Sequence, residues 1–188
     1  MNDIIERFCA EFELSEENFV KLCIEAPRKY KNFSIPKRNS KERRRVAQPA
    51  RRLKDMQRWF MENFLRAFPV HSAAVGYREG MGIADNALLH RENSFLYKFD
   101  FKDFFPSIEP KDLYHAVKKN ESSISSYEFD LLVRLFFKFS PNSEELELCI
   151  GAPSSPMISN IVMYDFDTEV SEYCSRIGVI YSRYADDV

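Results

Sequence analysis

Tyr184-Ala185-Asp186-Asp187-Val188 ends the sequence, directly after the apolar, β-branched run Ile177-Gly178-Val179-Ile180-Tyr181-Ser182-Arg183. Asp is disfavoured inside strands, so two of them closing a strand-like segment predict a tight hairpin with charge at its tip. Taken alone, the pair also fits a solvated Asp-Asp turn. A second stretch has the same character: Tyr97-Lys98-Phe99-Asp100-Phe101-Lys102-Asp103-Phe104-Phe105 is a short apolar strand that ends in carboxylates. Side by side, the two would pool Asp100, Asp186 and Asp187, a cluster that repels itself unless cations sit in it.

The 188 residues are enough for one large domain or two small ones with a real core. Hydrophobic residues make up 45% and glycines number 5, which excludes a disordered chain. No apolar run reaches membrane-spanning length and the N-terminus lacks a signal-peptide pattern, so a cytoplasmic protein with no membrane partner is expected. Cys9, Cys23, Cys149 and Cys174 form no C-x-x-C pair; reduced, buried thiols are expected and zinc is not. The net charge of −2 hides an asymmetry. Residues 1–27 carry 7 acids and 2 bases, residues 28–58 carry 2 acids and 13 bases, and residues 59–188 carry 20 acids and 12 bases. A basic block followed by an acidic region fits a polyanion contact beside a metal-binding centre; the alternative is a solvated basic face.

Along the chain, residues 1–26 read as one or two amphipathic helices, the second capped at Ser15 and ended by Pro27. Residues 29–49 read as a β-hairpin with a cationic turn, Lys37-Arg38-Asn39-Ser40-Lys41. Lys37, Arg43, Arg44 and Arg45 are its candidate phosphate contacts. A long helix runs from Ala50 to Phe68, its apolar stripe holding Trp59 for the core, with Arg51 and Arg52 mostly off that stripe. Gly80-Met81-Gly82 reads as a flexible, close-approach segment, and a helix capped by Asp85 or Asn86 follows. His71, His90 and His115 show no ligand spacing and are read as structural. Then come a strand from Phe95 to Phe101, helices over Glu109–Lys119 and about Ser126–Phe139, a turn at Ser140–Ser143, and a short strand over Glu145–Ile150. A small-residue loop, Gly151-Ala152-Pro153-Ser154-Ser155-Pro156, precedes a long helix from Met157 to Arg176 and the final strand. Strand, helices, loop, helix, strand is the rhythm of a split β-α-β unit: an α+β fold with an antiparallel sheet backed by helices.

Three segments then resemble, in order and spacing, three motifs of reverse transcriptases. They are Phe99-Asp100-Phe101-Lys102-Asp103-Phe104-Phe105-Pro106-Ser107-Ile108, Gly151-Ala152-Pro153-Ser154-Ser155-Pro156-Met157-Ile158-Ser159-Asn160, and Tyr184-Ala185-Asp186-Asp187. Ile35-Pro36-Lys37, Arg44-Arg45-Val46-Ala47-Gln48-Pro49, Leu53-Lys54-Asp55-Met56-Gln57-Arg58-Trp59 and Asn86-Ala87-Leu88-Leu89-His90 resemble segments of the bacterial retron-type enzymes. The resemblance implies a right-hand polymerase with fingers over residues 29–94 and a palm over 95–188. A finger insertion falls at about 111–150, and a helical segment over 1–28 precedes them. It also implies that the chain stops one residue after its metal-binding pair, leaving the returning strand and the thumb outside it, so that the 188 residues alone are expected to have little polymerase activity.

By the same resemblance, Asp100 and Asp186 would hold two Mg²⁺ ions roughly 4 Å apart, one activating a primer 3′-hydroxyl and one clamping the leaving pyrophosphate. Asp187 either ligates or supports them, and the Phe101 carbonyl adds a ligand. Phe105 would lie under the incoming sugar and select deoxynucleotides; the competing reading is that Phe104 and Phe105 are both core. Lys37 and Arg44 would meet the triphosphate, with Arg43 and Arg45 competing for that role, and Arg43, Arg45, Arg51 and Arg52 would meet nucleic acid. The Gly151 loop would approach nucleotide and template. Cys149-Ile150 stands where many family members have Pro-Gln, so a Gln amide contact is absent. The implied partners are a structured non-coding RNA as template and primer, a DNA product, dNTP and an effector protein, with a role in defence against phage. The alternatives are another bacterial reverse transcriptase, of group II intron or abortive-infection type, and a non-catalytic RNA-binding protein.

Overall fold

Alternating stretches of helix-capping and helix-breaking residues divide the chain into short elements. The computed structural model describes residues 3–37, 41–120, 124–141 and 143–188. The central residues of the cationic turn, Arg38, Asn39 and Ser40, and Asn142 of the Ser140–Ser143 turn lie outside them.

Helices α1 (Asp3–Glu11) and α2 (Glu16–Glu25) are separated at Ser15, whose hydroxyl accepts from the Asn18 amide at 3.3 Å, and Pro27 turns the chain into a 3-10 turn over Ala26–Arg28. Strands β1 (Tyr30–Pro36) and β2 (Arg43–Pro49) pair antiparallel from Tyr30 opposite Pro49 to Pro36 opposite Arg43. Helix α3 (Arg51–Asn63) follows at once. The expected single helix to Phe68 divides at Phe64, where φ −132° leaves the helical region, and resumes as a 3-10 turn over Leu65–Ala67. The aromatic stripe of α3 closes the core against α1, α2 and α7 (Ser126–Phe136). Phe60, fully buried, lies within ring contact of Phe8, Phe19, Trp59 and Phe136. The Trp59 indole N–H donates to Glu11 at 2.7 Å, so this ring is a core element, as its stripe position predicts.

Helix α4 (Ile83–His90) is capped at Gly82 rather than at the expected Asp85 or Asn86, and the Gly82 N–H donates to the Asp85 carboxylate at 2.7 Å. Gly80 and Gly82 make no close approach to another segment; that property belongs to Gly76 and Gly151. Helix α5 (Phe104–Ser107) is a single turn after Asp103, whose φ of 49° makes it a left-handed turn residue. Helix α6 (Pro110–Asn120) opens on the Glu109 amide donating to Asp112 at 2.8 Å. Two-residue strands β3 (Lys138–Phe139) and β4 (Leu146–Glu147) pair antiparallel, shorter than the strand expected over Glu145–Ile150. The expected helix Met157–Arg176 is two helices, α8 (Ser155–Val162) and α9 (Tyr164–Arg176), broken at Met163 where ψ is 0°.

The palm sheet differs most from expectation. Among the described residues, Phe95–Phe101 and Ile177–Arg183 form no regular ladder. Single bridges stand in its place, Asp100 to Asp187, Tyr184 to Asp187 and Ala74 to Arg183. The physical reason is pairing: a strand is assigned by its partner, and each segment meets one only near its acidic end. Phe95, Leu96, Tyr97, Val179 and Ile180 are correspondingly exposed.

Candidate active site

The turn at Tyr184–Asp187 is closed by its own backbone. The Tyr184 N–H donates to the Asp187 carbonyl at 2.8 Å, and the Asp187 N–H returns to Tyr184 at 3.1 Å. Ala185 and Asp186 are the two loop residues, and Ala185 has φ 62° while Asp186 has none of this strain, the pattern of a II′ hairpin turn. Asp187 and Val188 therefore already form the start of a returning strand. Val188 exchanges two hydrogen bonds with Phe99, at 2.7 and 2.9 Å, and the Phe101 N–H donates to the Asp186 carbonyl at 2.9 Å. This register sets Asp100 directly across from Asp187 in a non-hydrogen-bonded position, the arrangement in which facing side chains come closest. Asp186 lies across from Phe101, one step nearer the turn.

Further contacts hold the turn from behind, and none of them is visible in the motif itself. Arg183 is fully buried. Its guanidinium makes a bidentate pair with Asp167 of α9, Nε to Oδ1 at 2.8 Å and Nη2 to Oδ2 at 2.7 Å, and its Nη1 donates to the Ala185 carbonyl at 3.0 Å. The Tyr181 hydroxyl donates to the same carboxylate at 2.7 Å; burial, and then this hydrogen bond, raise its pKa, so it stays a donor. The Arg183 backbone is clamped between Ala73 and Val75 by two bonds of 2.8 Å. Gly76 completes the support: a Cβ there would lie 2.6 Å from the Ala185 amide nitrogen, so only glycine admits the turn this close. The Asn160 amide in α8 donates to the Gly76 carbonyl at 2.9 Å, which ties the small-residue motif to the same strut. The one available sign in the sequence was an Arg set in an apolar run, since a buried Arg requires a carboxylate partner.

The acids are not equivalent. Lys98 pairs with Asp187 at 3.0 Å, and its pKa is raised, first by that hydrogen bond and less by Asp100 and Asp186. The Asp100 and Asp186 carboxylates take no hydrogen bond or ion pair among the described residues, and the Phe101 carbonyl between them takes none either. Unpaired carboxylate and carbonyl oxygens on adjoining backbones are the donor chemistry a hard divalent cation takes. Among the described residues no three His, Cys, Asp or Glu side chains converge on one point.

The fingers candidates separate by strand alternation. Arg44 shares a face with Val46, which a Cβ at Gly151 would approach to 2.8 Å, while Arg43 and Arg45 lie on the other face. Arg43 is tied across its own hairpin to Ser34, at 2.8 Å to the hydroxyl and 2.7 Å to the carbonyl. Lys37 pairs with Glu42 at 2.7 Å; this bond, with a smaller contribution from Asp100, raises its pKa. Burial and then Asp186 raise the pKa of the Tyr77 hydroxyl, and Arg44 lowers it. Phe105 and Phe104 are both buried, and the Phe105 ring centre is 6.2 Å from that of Tyr77. The close approach of Gly151, at φ 113°, is to the fingers: β2 bonds to this loop, the Ala47 N–H donating to the Ile150 carbonyl at 2.8 Å. His90 is structural, its ring nitrogen 2.7 Å from the Ser182 hydroxyl. Arg51 and Arg52 are exposed on α3.

A family described as reverse transcriptase (RNA-dependent DNA polymerase) matches residues 35–188. The retron Ec83 reverse transcriptase of Escherichia coli is 40% identical over 161 residues, covering 85% of this chain and 51% of that protein. The retron Ec73 reverse transcriptase of Escherichia coli is 31% identical over 181 residues, covering 93% and 57%, and the retron Mx162 reverse transcriptase of Myxococcus xanthus 33% over 169 residues, covering 85% and 35%. The chain thus spans about half the length of the first two of these relatives. With Asp100 and the Tyr184–Asp187 turn joined in one backbone pairing, and with this match over most of its length, the chain belongs to the reverse transcriptase family and is of the retron type.

Proposed function

We propose that the chain is the fingers and palm portion of an RNA-directed DNA polymerase that extends a primer 3′-hydroxyl with dNTP on an RNA template. The observation that carries this reading is the pairing of Asp100 with Asp187 and the adjoining turn, which leaves Asp100, Asp186 and the Phe101 carbonyl as unpaired oxygen donors. The relatives' names support it: each is a retron reverse transcriptase.

In this reading Asp100, Asp186 and the Phe101 carbonyl hold two Mg²⁺ ions, which when bound lower the pKa of a hydroxyl and screen the charge of a triphosphate. Asp187, engaged by Lys98, supports them. The Arg183–Asp167 pair fixes the turn so that the carboxylates do not rearrange as charge develops. Lys37 and Arg44 orient the triphosphate, and Phe105 packs under the sugar where a 2′-hydroxyl would stand. Residues 29–94 act as fingers and 95–188 as a palm of split β-α-β type, with about 111–150 a finger insertion and 1–28 a helical buttress. A structured non-coding RNA serves as template and primer, DNA is the product, and an effector protein and defence against phage complete the cytoplasmic role.

Primer extension by the full-length protein on an RNA template tests this. Asp186→Asn is expected to abolish extension, and Phe105→Ala to admit ribonucleotides while leaving dNTP incorporation measurable. Full extension by Asp186→Asn would overturn the assignment.

A further inference from the structure

The base of the fingers hairpin and the first two turns of α3 form an open groove of about 760 Å³, lined by none of Asp100, Asp186 and Asp187. Arg28, Lys29, Lys31, Arg51, Lys54 and Arg58 line it, with Asp55 the one acid. On α3 the groove takes Arg51, Lys54 and Arg58, one helical turn apart at steps of about 5 Å. Arg52 is not part of the lining. Two of the six cations are neutralised, Lys29 by Glu25 at 3.2 Å and Arg58 by Asp55 at 3.4 Å, and the Arg28 guanidinium lies 4.7 Å over the Phe139 ring. Lys31, Arg51 and Lys54 have no acidic partner among the described residues.

The groove is built on rigid parts. Gln57 donates to the Tyr30 hydroxyl at 3.0 Å and to the Leu135 carbonyl at 2.7 Å, and the Ala50 N–H donates to the Lys29 carbonyl at 2.8 Å. It opens at the Tyr30 end of the hairpin, and Lys37 follows the other end of β1. The strand between them is ~20 Å long at about 3.3 Å per residue.

We propose that this groove is a second nucleic-acid site that holds the phosphate backbone of an RNA stem, anchoring the RNA away from the catalytic acids. Three unpaired cations, Arg51 and Lys54 one turn apart on α3 and Lys31 on β1, in a channel with no large apolar anchor beyond Tyr30, suit a phosphate chain, whereas a protein interface would need buried aromatic or aliphatic anchors. The proposal rests on the reading that the chain handles RNA.

The test is fluorescence anisotropy of the full chain with a blunt RNA hairpin lacking a single-stranded end, at several salt concentrations. The triple variant Lys31→Ala, Arg51→Ala, Lys54→Ala is expected to weaken binding at least roughly tenfold and to flatten the log-log salt slope by about three. A charge-matched variant, Arg91→Ala, Lys111→Ala, Lys119→Ala, is expected to stay within about threefold of the parent. The single exposed variant Lys31→Glu repeats the test without loading the helix. Parent-like binding by the groove variants, equal loss in the charge-matched variant, or no hairpin binding by the parent would each overturn the proposal. Primer extension by the full-length parent separates the two readings: extension with groove-independent hairpin binding rejects the groove alone, and groove-dependent binding without extension rejects the polymerase reading alone.

Discussion

At the scale of single residues, the site depends on one buried ion pair as much as on the acids. Arg183 and Asp167 are both fully buried, so removing one partner leaves an uncompensated charge inside the protein. Asp167→Ala is expected to cost about 3–5 kcal/mol in urea unfolding. Replacing both partners by apolar residues should cost less than the sum of the single changes. Gly76→Ala acts by shape alone: its Cβ would fall 2.6 Å from the Ala185 nitrogen, a backbone atom that cannot step aside. It should displace the Tyr184–Asp187 turn and reduce extension by the full-length enzyme by about a hundredfold with little loss of RNA affinity. The acids were legible because they are local and chemically unusual where they stand. Asp167 was not, because nothing along α9 distinguishes it from Asp165, which faces solvent and pairs with Lys119 at 2.7 Å.

Among elements, most helices and the local hairpin of β1 and β2 were legible, and the long-range pairing at the acids was not. Ser15, Pro27 and Ser125 mark helix ends through bonds made within a few residues, so a sequence carries them. Ladder pairing is decided by a distant partner: Phe95–Phe101 has strand composition but pairs only from Phe99 onward, with Asp186 to Val188. The same holds for the loop at Gly151, whose glycine signalled a close approach without naming β2 as the surface approached. Gly151→Ala meets both a strained φ of 113° and the Ala47 carbonyl at 2.9 Å. It is expected to cost about 1–3 kcal/mol and to raise hydrogen exchange at the Ala47 amide, the bond that joins the loop to the hairpin. For the helical layer, Phe60→Ala removes a ring that touches four others and should destabilise the chain by about 3–5 kcal/mol in the same urea assay.

Across the whole molecule, α3 joins the groove to the helical core, carrying the groove residues on one face and Phe60, packed against Phe8 and Phe136, on the other. The core also sets the response to alkali. Burial pushes the Cys149 thiol up from 9.0 to about 11, and raises Cys23 and the Tyr30 hydroxyl further. Each folded-state pKa lies above its unfolded value, so the contribution is complete below the unfolded value and is lost as pH rises toward the folded one. Melting temperature is therefore expected to hold between about pH 7 and 8.5 and to fall above about pH 9, each such group removing up to ~1.4 kcal/mol per pH unit. Thermal unfolding followed by circular dichroism measures this.

Backbone pairing joins Phe99–Phe101 to Asp186–Val188, and in the proposed function Asp100 and Asp186 form one hard-cation site there. Mn²⁺ titration of the chain followed by electron paramagnetic resonance tests it most directly. Asp100→Asn and Asp186→Asn, far apart in sequence, should each weaken the same binding event at least roughly tenfold, and the double variant should add little. Parent-like Mn²⁺ affinity in either single variant, or fully additive losses from two independent sites, would contradict it.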